Sequence, residues 1–313
     1  MRDLLYRAAV VAGAAVVLLG PAAGVASASA PPALASAHGG NEITSHGLGA
    51  AAAGGIGGSA GLSGVNVLGW GCPSSAAVAS DRTHLWVACG SGTVLEFDAS
   101  TGAFVTELTG PSYGFAGVCA IAADGTHVWV TNCHSNSVVE LDAATGRLVQ
   151  VLNQPRYKID NPFGVASDGT HVWVANASGS VTELDAATGA LVQVLDQPRY
   201  KFNAPIAVAS DGTHVWVANG GDSVTELDAA TGALVQVLNQ ARYKFNYPDA
   251  VASDGTHVWV ANGNGSSRTV TELDAATGAL VQVLHQPRYK FSAPSAVAAD
   301  GTHVWSPTAA AAR

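Results

Sequence analysis

A seven-residue motif, D-G-T-H-V-W-V, recurs along this 313-residue chain and constrains its fold more than any other feature. Intact copies begin at Asp124, Asp168, Asp211 and Asp254, a variant begins at Asp81, and a shortened copy begins at Asp300. Successive motif histidines lie 43, 44, 43, 43 and 46 residues apart. Self-similarity at a fixed period of roughly 20–50 residues is typical of repeat architectures, in which each unit buries its apolar surface against its neighbours.

Each repeat is predicted to contain four short strands. In the third repeat they span Phe163–Ser167, His171–Asn176, Val181–Asp185 and Ala190–Leu195. The β-branched residues, the short lengths and the glycine-bearing turns favour strands over helices. Four antiparallel strands repeated every 40–50 residues or so indicate a propeller blade. The predicted fold class is therefore all-β: a β-propeller of about six blades of four antiparallel strands, with an incomplete last blade.

The closure of this ring is left open by the sequence. Five full repeats are followed by only the first two strands of a sixth, because Ser306–Arg313 departs from the pattern. Gly64–Trp70 is expected to supply one outer strand of the last blade. The alternative is a shortened version of a longer ring, with an exposed strand edge that is open to pairing.

The repeat resembles the YVTN/NHL-type bacterial propeller family. The resemblance rests on the runs V-A-S-D-G-T-H-V-W-V-A-N and S-V-T-E-L-D-A-A-T-G-A-L-V within Val208–Val235, and it extends over Ala76–Trp305. It implies a propeller fold. It implies no particular activity, since such propellers include enzymes, ligand-binding proteins and scaffolds.

The N-terminal region predicts export. Arg2 and Arg7 precede a short apolar run, Ala8–Gly20, and Ala26-Ser27-Ala28 fits a signal-peptidase site. We therefore predict a signal peptide at 1–28, a flexible Ala/Gly/Ser-rich leader at 29–63 and the propeller at 64–313, with an uncleaved anchor as the alternative. The mature chain is expected to have no membrane span and to be secreted, extracellular or associated with the cell envelope. A net charge of −9 argues against nucleic acid as a partner.

A basic motif, Arg-Tyr-Lys, recurs in the connections between blades and contains every lysine of the chain. Its members are Arg156, Tyr157, Lys158, Arg199, Tyr200, Lys201, Arg242, Tyr243, Lys244, Arg288, Tyr289 and Lys290. In a four-stranded meander these connections share one face, while the acidic turns lie on the other. We therefore expect a basic rim that binds an anionic cell-wall polymer, in which arginine and lysine contact the charges and tyrosine stacks on sugars. The alternative is that tyrosine packs between blades while arginine and lysine keep the loops soluble.

A second set of candidate residues begins the innermost strand of each blade. At this position near the channel mouth the nearly identical repeats differ, and Phe163, Ile206 and Asp249 are the candidates to meet a small ligand. Relaxed drift at an exposed position is the alternative. The motif histidines are not expected to hold a metal, because equivalent atoms on packed sheets lie about 10 Å apart. No metal or cofactor is predicted.

Four cysteines in an exported chain favour disulfides. Pairing across the D-G-T turn of the second repeat puts Cys119 opposite residue 132, beside Cys133. The same register puts Cys89 close to the segment that contains Cys72. The predicted disulfides are Cys72–Cys89 and Cys119–Cys133.

The near-identity of the repeats favours a binding or scaffold protein over an enzyme. An active site needs unlike groups at one place, whereas these repeats present the same groups at symmetric places. The partner is expected to be a cell-wall polymer or another envelope protein. The alternatives are a scaffold without a specific ligand and an enzyme of the streptogramin-lyase type, which the repeat is similar to in outline. That class implies a Glu-x-His grouping with a divalent ion, and the chain contains no Glu-x-His.

Overall fold

The computed structural model of the protein describes residues 75–263, 268–285, 287–289, 291 and 293–306. The predicted signal peptide and leader, Gly64–Trp70, Cys72 and Lys290 lie outside these residues.

Five antiparallel sheets of four strands follow one another along the chain, and in each sheet every strand pairs with the next. The first two sheets are β1 Ser75–Ser80, β2 His84–Cys89, β3 Thr93–Asp98, β4 Phe104–Leu108, and β5 Val118–Ala123, β6 His127–Asn132, β7 Ser137–Asp142, β8 Leu148–Leu152. The next two are β9 Pro162–Ser167, β10 His171–Asn176, β11 Ser180–Asp185, β12 Leu191–Leu195, and β13 Pro205–Ser210, β14 His214–Asn219, β15 Ser223–Asp228, β16 Leu234–Leu238. The fifth is β17 Pro248–Ser253, β18 His257–Asn262, β19 Val270–Asp274, β20 Leu280–Leu284, and a two-stranded sheet follows, β21 Ala298–Ala299 and β22 Val304–Trp305.

The turn chemistry of the repeat explains why the strands begin and end where they do. In the third blade the Asp168 carboxylate accepts the backbone N–H groups of Thr170 and His171 at 2.9 and 2.7 Å. Gly169 between them has φ +82°, a left-handed conformation that glycine adopts without steric cost. The D-G-T sequence therefore closes the turn between the first two strands, and the predicted strand bounds agree with the structure to within one residue.

The sheets are arranged as propeller blades. The first strands contact one another in the order β1, β5, β9, β13, β17 and β21, so they form the inner wall of the array. The motif tryptophans fill the space between sheets, and Trp86, Trp129, Trp173 and Trp216 have no exposed surface. The all-β propeller prediction is thus confirmed, with five four-stranded blades and a two-stranded last one.

Hydrogen bonds that repeat from blade to blade fasten each sheet to the next. Ser210 Oγ donates to Asp168 Oδ2 of the preceding blade at 3.0 Å. Gln236 Nε2 donates both to Glu226 of its own blade, at 2.7 Å, and to the carbonyl of Thr277 in the next, at 2.9 Å. Each blade therefore depends on its neighbours for the partners of its polar groups.

The fifth blade is covered less completely than the first four by the described residues. Gln282, the counterpart of Gln236, bonds to Glu272 but finds no carbonyl of a following blade among the described residues. Its side chain is exposed, whereas that of Gln236 is half-buried. Trp259 is 8% exposed, where the tryptophans of the first four blades are fully covered. The two-stranded sheet thus covers the fifth blade only in part.

Within the described part of the chain, no helix has the length and apolar character needed to cross a membrane.

Candidate functional site

The Arg-Tyr-Lys motif folds into a one-turn 3₁₀ helix in each connection between blades. The four helices are Pro155–Tyr157, Pro198–Tyr200, Ala241–Tyr243 and Pro287–Tyr289. The lysine that ends the turn has a left-handed backbone, with φ of 47° at Lys158, 55° at Lys201 and 56° at Lys244. The turn therefore fixes the direction in which each lysine leaves the backbone. Together the exposed arginines and lysines of these connections form what we call the basic rim: Arg156, Lys158, Arg199, Lys201, Arg242, Lys244 and Arg288.

The tyrosines of the motif are structural residues, which corrects the expectation that they stack on sugars. Tyr157, Tyr200 and Tyr243 are each only 2% exposed. Their hydroxyls donate to the carbonyls of Gly189, Gly232 and Gly278 in the next blade at 3.4–3.5 Å. Burial between blades leaves no ring face open to a ligand. Tyr289 is half-buried, because the last sheet covers it less completely.

Each arginine of the motif uses some of its N–H donors to bind the tyrosine that follows it, and its other donors are open to solvent. The guanidinium carbon of Arg199 lies 5.0 Å from the centre of the Tyr200 ring, and one nitrogen donates to the tyrosine hydroxyl at 3.1 Å. Arg156 and Arg242 repeat both contacts. A guanidinium has five N–H donors, so the remaining ones are available at the exposed side of each residue.

The lysines differ in their partners. Lys158 forms an ion pair with Asp196 at 2.7 Å. The residue at the position of Asp196 is Asn239 in the next repeat, and Lys201 and Lys244 have no ion pair within the described residues. The connections around Lys201 and Lys244 are therefore the part of the rim with the least compensated charge.

A cleft of about 440 Å³ lies beside Lys244 in the connection between the fourth and fifth blades. It is lined by Asp222, Asn239, Gln240, Ala241, Lys244, Phe245 and Asn246. Phe245 is held in place by stacking on Tyr243, with ring centres 5.3 Å apart. Amide side chains, one cation and part of an aromatic ring make the cleft suitable for a polar, hydroxyl-rich ligand. The sequence prediction missed the two amides, since the Asn-Gln pair also fits a solvent-exposed loop.

The opposite face carries the acidic turns. Hydrogen bonds from Ser100 and Thr101 lower the pKa of the exposed Asp98 to about 2, and bonds from threonines lower the pKa of Asp142, Asp185, Asp228 and Asp274. These carboxylates are therefore ionised over the whole physiological range. The turn face therefore carries a repeated array of anions and the rim face a repeated array of cations, with Arg82 and Arg147 on the turn face and Asp160 and Asp196 on the rim face among the exceptions.

The motif histidines make local contacts on the acidic face. His84 Nδ1 lies 3.2 Å from Asp81, and its Nε2 lies 3.7 Å from Glu96. Burial raises the pKa of Glu96, Glu140, Glu183 and Glu226, and at Glu183 a hydrogen bond from Gln193 and the nearby His171 partly offset the effect. No group of three histidine, cysteine or acidic side chains within the described ranges has the geometry to hold a metal.

The predicted channel-mouth residues occupy one structural position. Each first strand has a β-bulge next to its start, so the second residue of the strand is left out of the ladder: Pro205 pairs with Asn219 and Ala207 with Ala218, which leaves Ile206 unpaired. Phe163 and Asp249 have the same place in their blades, and all three side chains are half-buried. The bulge turns these side chains toward the loop that follows the second strand.

Cys119 is the bulge residue of the second blade, and it is bonded to Cys133 as predicted. Cys133 is the first residue after β6, and the two Cα atoms are 6.0 Å apart. Cys89 is fully buried, and none of the described cysteines has a free thiol. Because Cys72 lies outside the described residues, the Cys72–Cys89 bond stays a prediction.

The family model described as outer membrane protein assembly factor BamB matches residues 33–281, which is most of the chain. The chain belongs to the BamB family. BamB from Moraxella catarrhalis is a similar solved structure, with 18% identity, a TM-score of 0.53, and coverage of 75% of this chain and 70% of that one. The chain is therefore a BamB-family propeller scaffold, and membership of the YVTN/NHL-type family is not shown.

Two further solved structures share the propeller fold. A chain of the mitotic checkpoint complex has a TM-score of 0.61 at 16% identity and covers 75% of this chain and 74% of its own. The computationally designed protein Ika8 has a TM-score of 0.57 at 18% identity, with coverage of 75% and 68%. At these identities the likeness concerns the fold alone. No curated protein sequence matches the chain.

Proposed function

We propose that this BamB-family propeller is an exported binding scaffold of the bacterial cell envelope, and that its basic rim holds an anionic envelope polymer. The observation that carries the proposal is the placement of Lys201 and Lys244. Both are exposed, both are fixed by a 3₁₀ turn, and neither is neutralised by an acid within the described residues. Arg199 and Arg242 lie next to them along the chain, so two neighbouring connections present four cations to one ligand.

The location in the envelope is supported by two observations. The family takes its description from an outer-membrane assembly factor. The N-terminal sequence has the charged, apolar and small-residue order of a secretory signal. Secretion of the mature chain and its association with the envelope are parts of the same proposal.

A net charge of −9 does not prevent the rim from binding a polyanion. The Debye length at physiological ionic strength is about 8 Å, so charges on the far face are largely screened from a ligand on the rim. The local cations then decide the interaction. Arginine offers a forked donor that matches carboxylate and phosphate, and lysine adds a point charge, so either anionic group fits the rim.

The proposal is tested by co-sedimentation of the mature protein with purified bacterial cell walls across a salt series. The test variant is Lys201→Asn with Lys244→Asn, because asparagine tolerates the left-handed backbone that both lysines adopt. The matched control is Arg82→Gly with Arg147→Ala, which removes two cations from the opposite face. Other repeats carry Gly125 and Ala190 at these two positions.

We expect the parent and the control to bind with an affinity that falls as salt rises, and the test variant to bind at least tenfold more weakly. Circular dichroism and melting temperature check that both variants stay folded. Equal loss of binding in both variants would show that net charge alone matters, and unchanged binding of the test variant would overturn the rim as the site.

A further inference from the structure

The connection before the fifth blade differs from the preceding one at several positions, and two of these differences place unlike polar side chains near each other. Most of the fourth and fifth repeats is identical, yet Tyr247 replaces the Ala204 of the preceding connection, and Asp249 replaces Ile206. Burial raises the pKa of Tyr247, and the negative charge of the nearby Asp249 raises it further, so the two side chains interact electrostatically. Two unlike polar groups are thus brought together at a place where the other blades have apolar or small residues.

The space around these groups is made by glycines. A Cβ atom on Gly263, the first residue after β18, would lie 2.6 Å from the Asp249 carboxylate, so this side chain rests directly on the glycine. A Cβ atom on Gly220 would lie 3.0 Å from the Ile206 side chain and 3.2 Å from the Tyr247 ring. Ile206, Tyr247 and Asp249 therefore lie around two adjacent loops that have no side chains of their own at these points.

Asp249 lacks a partner. Within the described part of the chain its carboxylate has no hydrogen bond and no ion pair, whereas the aspartates that begin the D-G-T turns accept two or more donors each, as Asp211 does from Thr213 and His214. Burial raises the pKa of Asp249 to about 7. At neutral pH the protein therefore holds a half-buried carboxyl group that has no hydrogen-bond donor and no cation as a partner among the described residues.

Tyr247 also costs stability. Its φ is +52°, a left-handed conformation that is unfavourable for a bulky residue, and the Asp222 carboxylate holds it there by accepting its backbone N–H at 2.7 Å. The corresponding residues Asn161, Ala204 and Ala293 share this conformation with smaller side chains. Groups that cost stability without structural compensation are concentrated at functional sites.

We propose that Tyr247 and Asp249, with Ile206 as an apolar wall, form a binding site for the ammonium group of a small ligand. The cation would pair with the carboxylate of Asp249 and lie against the ring or the oxygen of Tyr247. These two contacts would replace the water that the ammonium group loses when it is buried. The methylene groups next to the ammonium contact Ile206. This site is distinct from the basic rim, because its charge is of the opposite sign and Ile206 and Asp249 lie in the first strands of their blades, whereas Tyr247 belongs to the connection that contains Lys244.

The site is tested with benzylammonium chloride as the probe and benzyl alcohol as its neutral counterpart, each titrated into the full mature chain at pH 8 and followed by NMR. We expect benzylammonium to bind and benzyl alcohol to bind at least tenfold more weakly. Asp249→Asn and Tyr247→Ala, the second of which restores the residue of the preceding repeat, should each weaken the binding of benzylammonium by tenfold or more.

The matched control is Asp160→Asn. It removes one exposed negative charge from the same face and installs the residue found at Asn203 and Asn246. This control should bind benzylammonium as the parent does. Equal binding of the alcohol and the ammonium, equal binding by Asp249→Asn, or absence of binding to the parent would each overturn the proposal. Melting curves separate loss of the site from loss of the fold.

Discussion

At the scale of single residues, the molecule contains two kinds of aspartate with opposite effects on stability. Asp228 accepts a 2.6 Å hydrogen bond from Thr231, and its pKa is lowered. The pKa of Asp249 is raised by burial to about 7. Ionisation of Asp228 therefore favours the folded state, whereas ionisation of Asp249 opposes it.

Replacement of Asp249 by asparagine is expected to stabilise the protein at pH 8. In the unfolded chain the aspartate pKa is near 3.9, so the cost of ionising Asp249 is absent below about pH 4, grows between pH 4 and 7, and is complete above pH 7. A unit of pKa corresponds to about 1.4 kcal/mol, so the gain at pH 8 is about 4 kcal/mol at most. Urea unfolding of parent and variant at pH 4 and pH 8 measures it. A gain of the same size at both pH values, or a loss at pH 8, would contradict the assignment.

The Arg-Tyr-Lys motif shows how far single residues can be interpreted from sequence. The cations lie on one exposed rim as predicted from the order of strands, because a four-stranded meander fixes which loops share a face. The use of the tyrosine could not be predicted, since an amphipathic ring serves equally well as a ligand platform or as packing. The spacing of 32 residues between Tyr200 and its acceptor Gly232 becomes informative only when the blades are placed side by side. Tyr247 was not identified from the sequence as a candidate ligand-binding residue. The signal was present, because the adjacent repeats have alanine at this position.

At the scale of strands and loops, the β-bulge of the first strand places three chemically different pairs in the same geometry. Cys119 forms a disulfide with Cys133, the Ile206 side chain lies close to Gly220, and the Asp249 side chain packs against Gly263. Each pair joins the bulge residue to the first residue after the second strand of the same blade. The disulfide therefore occupies a position that the repeat provides in every blade.

The equivalence predicts that Ile206→Cys combined with Gly220→Cys forms a disulfide. Cys119 and Cys133 are separated by 14 residues, and the new pair has the same separation. A loop of about 15 residues corresponds to roughly 3 kcal/mol of stabilisation in the chain-entropy model. Non-reducing peptide mapping should find the new cross-link, and a reductant should lower the melting temperature of the oxidised variant. Two free thiols in the oxidised protein would show that the bulges are not equivalent.

The glutamine bridge between blades provides a matched pair of substitutions. Gln236→Ala removes a bond to Glu226 and a second one to Thr277 of the next blade, whereas Gln282→Ala removes only the bond to Glu272 among the described residues. We expect Gln236→Ala to cost about 1 kcal/mol more free energy of unfolding, the net value of one hydrogen bond. Chemical denaturation of both variants measures the difference. Equal losses would mean that the bond to Thr277 contributes nothing.

The strands themselves could be predicted almost residue by residue, and the bulges could not. Alternating Val and Thr, the D-G-T turn and glycines such as Gly189 specify short strands locally. A bulge shifts one residue out of the ladder without changing the length of the repeat, so the sequence period does not reveal it. The Cys119–Cys133 pairing was nevertheless predicted, because the offset of one residue was within reach of the disulfide.

At the scale of the whole molecule, the repeat separates charge between two faces of a BamB-family propeller. Identical turns place ionised aspartates on one face, and identical connections place arginines and lysines on the other. A symmetric array of this kind suits a ligand that is itself repetitive, since each connection can contact another unit of the polymer. The repeated residues determine the fold and the basic rim. The proposed ammonium site depends instead on Tyr247 and Asp249, which differ from the residues at these positions in the other repeats.

The most direct test of the basic rim uses the fact that every lysine of the chain belongs to an Arg-Tyr-Lys motif. Brief acetylation by an amine-reactive reagent, with and without bound cell walls, reports on the rim through the labelling of Lys158, Lys201 and Lys244. We expect cell walls to slow the labelling of Lys201 and Lys244 severalfold, while a lysine-containing reference peptide in the same tube reacts at an unchanged rate. Binding to the walls with unchanged labelling of both lysines would contradict the account, because the polymer would then be held elsewhere on the propeller.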